Sequence, residues 1–197
     1  MIVTIHQPHF LPWLGYLHRM AQADLFVVLD HVQFERANYQ NRTRIRMQCG
    51  ADCEARWLTV PLIQRSQKER IVDKEVDNRL EDARWGPKLY ATLRQAYREA
   101  PFRDLYAPAL KKLFDTPWTR LVDLNLAFLE LLREAFGIRT PLVRSSELGV
   151  QGAKSELVLA LCRAVKADCF LGGLGRPHPT GSRFCRGWLT PESCYPG

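Results

Sequence analysis

Two short apolar runs, Ile2-Val3-Thr4-Ile5 and Leu25-Phe26-Val27-Val28-Leu29, bracket a stretch with helical spacing. Between them Trp13, Leu14, Leu17 and Met20 recur at intervals of one helical turn, and Pro12 suits a first turn. Strand, helix and strand within about 30 residues make a βαβ unit, which demands a parallel sheet and a right-handed crossover. The second run is apolar throughout, as expected of a strand buried on both faces.

A second unit of the same kind closes the chain. Residues 140–143 read as a strand, 145–152 as a loop, 154–165 as a helix and 168–171 as a strand. Between the two units lie residues 41–48 and 55–62, which read as paired strands turning at Gly50-Ala51-Asp52. A polar connector over 64–82 follows, then a helical stretch over 84–136 broken by Pro101, Pro108 and Pro117. Its apolar stripe of Leu121, Leu124, Phe128, Leu131 and Leu132 ends at Gly137, a C-capping glycine. The expected fold class is α/β: a mostly parallel sheet of βαβ units in three layers, with a helical insertion at about 84–136.

With 197 residues, 46% of them apolar, the chain suits a single domain of ordinary size. We expect it to span residues 1–175. No apolar run reaches the ~18 residues of a membrane span, and the N-terminus has neither the basic flank nor the apolar core of a signal peptide. A cytoplasmic protein without membrane insertion is the expectation. The six cysteines form no CxxC pair and no zinc spacing, so they read as reduced thiols.

Four of the five histidines, His6, His9, His18 and His31, fall within the first 31 residues. His6 stands where the first strand runs out, and Asp30-His31 where the second does. Parallel α/β sheets bind ligands at the carboxyl ends of their strands. His6, Gln7 and His9 are therefore expected to share one sheet edge with Asp30, His31 and Gln33. Pro8, Pro12 and Trp13 stiffen the loop after the first strand. No HxH or HExxH spacing supports a metal site, and none is expected.

The net charge of +7 favours anionic partners. Arg36, Arg42, Arg44 and Arg46 cluster in one stretch, and Arg42 and Arg44 share a strand face that could hold a diphosphate. Asn38 to Asn41 adds groups that hydrogen-bond sugars, phosphates or amides. Gly152-Ala153-Lys154-Ser155 resembles the end of a phosphate loop, but Leu148 stands where a full P-loop needs glycine. Aromatic residues interleaved with basic ones are too sparse along the sequence for a stacking platform.

His6-Gln7-Pro8-His9-Phe10-Leu11-Pro12-Trp13-Leu14-Gly15-Tyr16 opens the chain, followed by Ala23-Asp24, Leu29-Asp30 and Val32-Gln33-Phe34. Gln40-Asn41-Arg42, Trp57 to Pro61, Ala100-Pro101-Phe102, Asp123-Leu124-Asn125, Gly137-Ile138 and Ser145 to Gly149 come later. Together these resemble the WbqC-like family over about residues 2–173. That resemblance implies a role in making a sugar building block for bacterial surface polysaccharide (O-antigen). A second likeness rests on Phe10-Leu11-Pro12, Gly15 to His18 and Asp24. It is to the first βαβ of the HIGH-type nucleotidyltransferases, which bind ATP, with His18 a partial stand-in for their paired histidines. From Arg176 onward the chain departs from the WbqC-like pattern, and residues 176–197 are expected to come from a truncated gene or a shifted frame.

The expected function is group transfer (nucleotidyl, acyl or aminoacyl) from a nucleotide- or ATP-activated substrate. His6 and Asp30 form the expected catalytic pair. Gln7, His9, Trp13, His18, Gln33, Asn41, Arg42 and Arg44 would bind a small anionic substrate, with Ser146, Lys154 and Ser155 as a second anion contact. The rival expectation is a non-catalytic basic protein that binds RNA or a protein partner.

Overall fold

The structure, a computed structural model, describes residues 1–47, 54–79 and 85–172, and the backbone of 183–185. The chain divides into two compact units. Unit one comprises residues 1–8, 13–31 and 133–197; unit two comprises 9–12 and 32–132.

Unit one is the parallel sheet that the βαβ spacing demands. β1 (Ile2–His6) runs into α1 (Leu14–Ala21) and then β2 (Leu25–Val28). β5 (Leu142–Arg144), α5 (Lys154–Ala164) and β6 (Cys169–Leu171) form the second crossover, and β7 (Arg183–Cys185) closes the edge. The strand order is β5-β2-β1-β6-β7, parallel except for β7. The first crossover moves from β1 toward β2, while the second carries the chain from β5 across to β6 in the opposite direction. With right-handed crossovers, opposite directions put α1 and α5 on opposite faces of the sheet, giving three layers. Val3, Phe26, Val27 and Val28 are accordingly buried, as are Leu17 and Met20 of α1 and Leu157 and Leu161 of α5. Thr140 docks the end of α1 against the entry to β5 by donating its hydroxyl to the Met20 carbonyl at 2.8 Å.

Unit two holds β3 (Arg42–Arg46) and β4 (Ala55–Thr59), an antiparallel ribbon, together with α2 (Trp85–Ala96) and α3 (Arg103–Asp115). α4 (Leu121–Ala135) begins in unit two and runs to its boundary with unit one. Phe10, Phe34, Ile45, Leu58, Phe114 and Phe128 lie in its core, where Phe114 and Phe128 meet edge to face at 4.9 Å. α2 packs on α3 through Gly86: a Cβ there would stand 1.9 Å from the Phe114 carbonyl oxygen. α4 ends in a Schellman motif, with Gly137 at φ +64°, Ile138 N–H on the Arg133 carbonyl and Gly137 N–H on that of Glu134.

Three sequence expectations need correction here. Pro101 and Pro117 fall in the breaks between helices, but Pro108 lies inside α3. It is exposed there, so α3 gives up one backbone hydrogen bond without a core clash. The connector over 64–82 is not merely polar. Ile71 is fully buried, and so is Lys74, whose ammonium donates to Glu69 Oε2 at 2.6 Å and to the Ile63 carbonyl at 2.9 Å. The second ribbon strand stops at Thr59; beyond it Leu62 pairs with Val76 in a single bridge. The turn at Gly50-Ala51-Asp52 lies outside the described residues, as does nearly all of the 176–197 tail.

Candidate functional site

The winding of unit one picks out two places along the carboxyl edge of its sheet. The chain leaves β1 toward β2 but leaves β6 toward β7, so the β1–β6 junction is the point where strand order reverses, the favoured ligand position in open α/β sheets. His6 and Gln7 stand there. Thr4 bridges the two strands by donating to the Leu171 carbonyl at 2.9 Å. The His6 Nδ1 contacts the Gln7 carbonyl at 2.9 Å, and its ring meets Tyr16 edge to face at 4.6 Å. Tyr16 is fully buried, and burial pushes its phenol well above the ordinary value of 10.0.

The second place is the β2–β5 edge, where Asp30 is completely enclosed. One carboxylate oxygen accepts from the Ser145 hydroxyl at 3.1 Å and the Ser146 N–H at 2.9 Å. The other accepts from Arg144 Nε at 2.7 Å and the Ser146 hydroxyl at 2.9 Å. β5 supplies Arg144, and the 3-10 turn Ser145–Glu147 that follows supplies the serines. Four donors on two oxygens hold the carboxylate as the hub of this edge, fixing the β5 turn against the end of β2.

The hub also orients His31. Its Nδ1 lies 2.6 Å from the Ser145 oxygen, which already accepts the Asp30 N–H at 3.1 Å and gives its single proton to the Asp30 carboxylate. Nδ1 must therefore be the protonated nitrogen. In the neutral ring Nε2 then carries the lone pair, and it is buried without a hydrogen-bond partner among the described residues. An unsatisfied, oriented imidazole nitrogen beside a fixed carboxylate can take up or deliver one proton.

The expected site residues divide between the units. His6, Gln7, Trp13, His18, Asp30, Ser146, Lys154 and Ser155 belong to unit one. Among these, Trp13 is 63% exposed at the start of α1, His18 is exposed and paired with Gln22 at 3.2 Å, and Lys154 and Ser155 open α5. His9, Gln33, Asn41, Arg42 and Arg44 belong to unit two. Gln33 is exposed and donates to the Gln67 carbonyl at 2.8 Å, while Asn41 bonds the Val60 carbonyl at 3.0 Å to lock the ribbon. Among the described residues no three His, Cys, Asp or Glu side chains gather as a metal site. Sequence reasoning left Arg144 and Ser145 out of the site. Only their position directly after an apolar strand, on the edge shared with Asp30, could have signalled them.

A doubly wound α/β unit with a polar, hydrogen-bonded carboxyl edge defines the class of protein. The chain belongs to the WbqC-like protein family, which matches residues 7–179. It is 27% identical over 172 residues to the uncharacterized protein Rv1507c of Mycobacterium tuberculosis (strain ATCC 25618 / H37Rv), covering 87% of this chain and 71% of that protein. No solved structure matches it.

Proposed function

We propose that this protein is a transferase that acts on a nucleotide- or ATP-activated substrate in the biosynthesis of bacterial surface polysaccharide. The observation that carries the reading is the carboxyl edge of unit one. There His6 and Gln7 stand at the reversal point, and the Asp30 hub orients His31 on the neighbouring strand end. In this reading His6 and His31 exchange protons with the reacting groups, and Asp30 is a positioning residue acting through Ser145. Lys154 and Ser155 supply the anion contact. The setting, surface polysaccharide, comes from the family resemblance alone. A basic chain of net charge +7 suits a phosphorylated donor.

The experiment is thermal denaturation of the protein against a panel of nucleoside triphosphates and sugar-nucleotides. A ligand at a hundred times its Kd stabilises the folded state by about 2.7 kcal/mol, a rise of several degrees in Tm. The expected result is such a rise with at least one member, retained in His6→Ala and His31→Ala while turnover is lost. A Tm unmoved by the whole panel would refute the reading.

A further inference from the structure

The outer face of the β3–β4 ribbon carries a different chemistry. Register pairs Arg42 with Thr59, Arg44 with Trp57 and Arg46 with Ala55, which puts three arginines and Trp57 on one face. Ile45 and Leu58, on the other face, are buried in the core of unit two. Trp57 is 38% exposed, and Tyr39, 45% exposed, stands 5.6 Å from it ring to ring. His9 continues the row 5.9 Å beyond Tyr39. The Arg42 guanidinium lies 4.1 Å from the centre of the Trp57 ring and that of Arg44 5.6 Å. Loop contacts hold this row: Phe10 N–H bonds the Tyr39 carbonyl at 3.0 Å, and buried Asn125 bonds the Gln40 carbonyl at 2.8 Å.

Among the described residues no carboxylate compensates the charges on this face. Elsewhere in unit two Arg65, Arg70, Arg79, Arg98, Arg103 and Arg120 each meet a carboxylate. Among the described residues none lies within ion-pair distance of Arg42, Arg44 or Arg46. Arg42 gives one Nη to the Ala37 carbonyl, and its Nε–H is buried with no acceptor among the described residues. Its remaining guanidinium N–H groups, like those of Arg44 and Arg46, are of the kind that phosphate oxygens accept from.

We propose that this face binds single-stranded nucleic acid, with unpaired bases stacked on Trp57 and Tyr39 and phosphates held by Arg42, Arg44 and Arg46. Alternate residues of a strand recur about every 7 Å, so the arginines form a row rather than a single cluster. A nucleoside diphosphate brings about three negative charges and one base, leaving part of the row and one aromatic ring unused. A flexible chain alternating charge and planar base engages all of it, whereas a duplex hides its base faces. This inference uses residues of unit two alone and stands or falls apart from the transferase reading.

The test is fluorescence anisotropy of labelled 12-nucleotide oligo-U and oligo-dT with the full chain across a salt series. Binding should weaken linearly in log–log salt. Arg44→Gln and Arg46→Gln should each lower the slope by about 0.7. Trp57→Ala should weaken binding about tenfold, and Trp57→Phe should restore most of it. These side chains face away from the core, so unchanged circular dichroism and Tm are expected to accompany the losses. Three outcomes would each overturn the proposal: affinity indifferent to Trp57→Ala, equal binding of a blunt duplex or base-free polyphosphate, or displacement of the oligonucleotide by a nucleoside diphosphate at equal nucleotide concentration. Should Trp57→Ala fail to fold, the salt slopes and the duplex and polyphosphate comparisons decide.

Discussion

Tyr16 shows how one residue ties the core of unit one to its carboxyl edge. Its ring packs on Phe26 at 5.2 Å and against His6, and its hydroxyl reaches the Gln7 carbonyl at 3.4 Å. Because burial raises its pKa, the folded state keeps a proton that the unfolded state surrenders near pH 10. Stability from Tyr16 is therefore complete below that pH and falls as pH rises above it. Between pH 9 and pH 11 the native protein should lose about 1.4 kcal/mol more than Tyr16→Phe, measured by urea denaturation at both pH values. Equal losses would show that the phenol ionises freely in the folded state. At this scale the polar residues are legible as types and positions: the sequence places Asp30 and His31 where the second strand runs out, and in the structure they follow the end of β2 at Val28. Their partnership with Arg144, Ser145 and Ser146 was not legible, because 114 to 116 residues separate the partners and no local pattern encodes a bond of that span.

Elements followed local rules wherever local forces decided them. β1, α1, β2, β5, α5 and β6 fall within a few residues of the expected ranges, since apolar period and capping residues operate over one or two turns. Pro108 is the exception. Proline disfavours a helix interior, but the packing of α2 on α3 outweighs one missing hydrogen bond. That packing rests on Gly86, because backbone rather than a movable side chain faces it. Gly86→Ala should cost about 2–3 kcal/mol through overpacking, seen as a lower urea midpoint with an unchanged slope. A cost below 0.5 kcal/mol would mean that the helices separate freely.

At the scale of the whole molecule, the insertion between β2 and β5, together with residues 9–12, forms a compact unit of its own and carries two of the six residues that nearness to the strand ends groups together. These are His9 and Gln33: three positions past the end of β1 and five past the end of β2, the chain has already passed into unit two. If the donor binds at the reversal point of unit one, hydrogen exchange with a stabilising nucleotide present should slow at the amides of His6, Gln7, Asp30 and His31. Amides 43–46 of the ribbon should be unaffected, and protection confined to the ribbon would move the nucleotide to unit two. The sequence by itself determined the parallel sheet, because two apolar runs joined by an amphipathic helix have few other ways to bury their faces. It also determined that His6 and Asp30 would lie at the strands' carboxyl ends. Only the tertiary structure decided which polar groups meet: the enclosure of Asp30 by the β5 turn, and the assembly of His9, Tyr39 and Trp57 from three segments beside arginines that meet no carboxylate among the described residues. Read linearly, those aromatics are too sparse for a platform. Folding gathers them because contact depends on strand register and loop closure, which spacing along the chain does not specify.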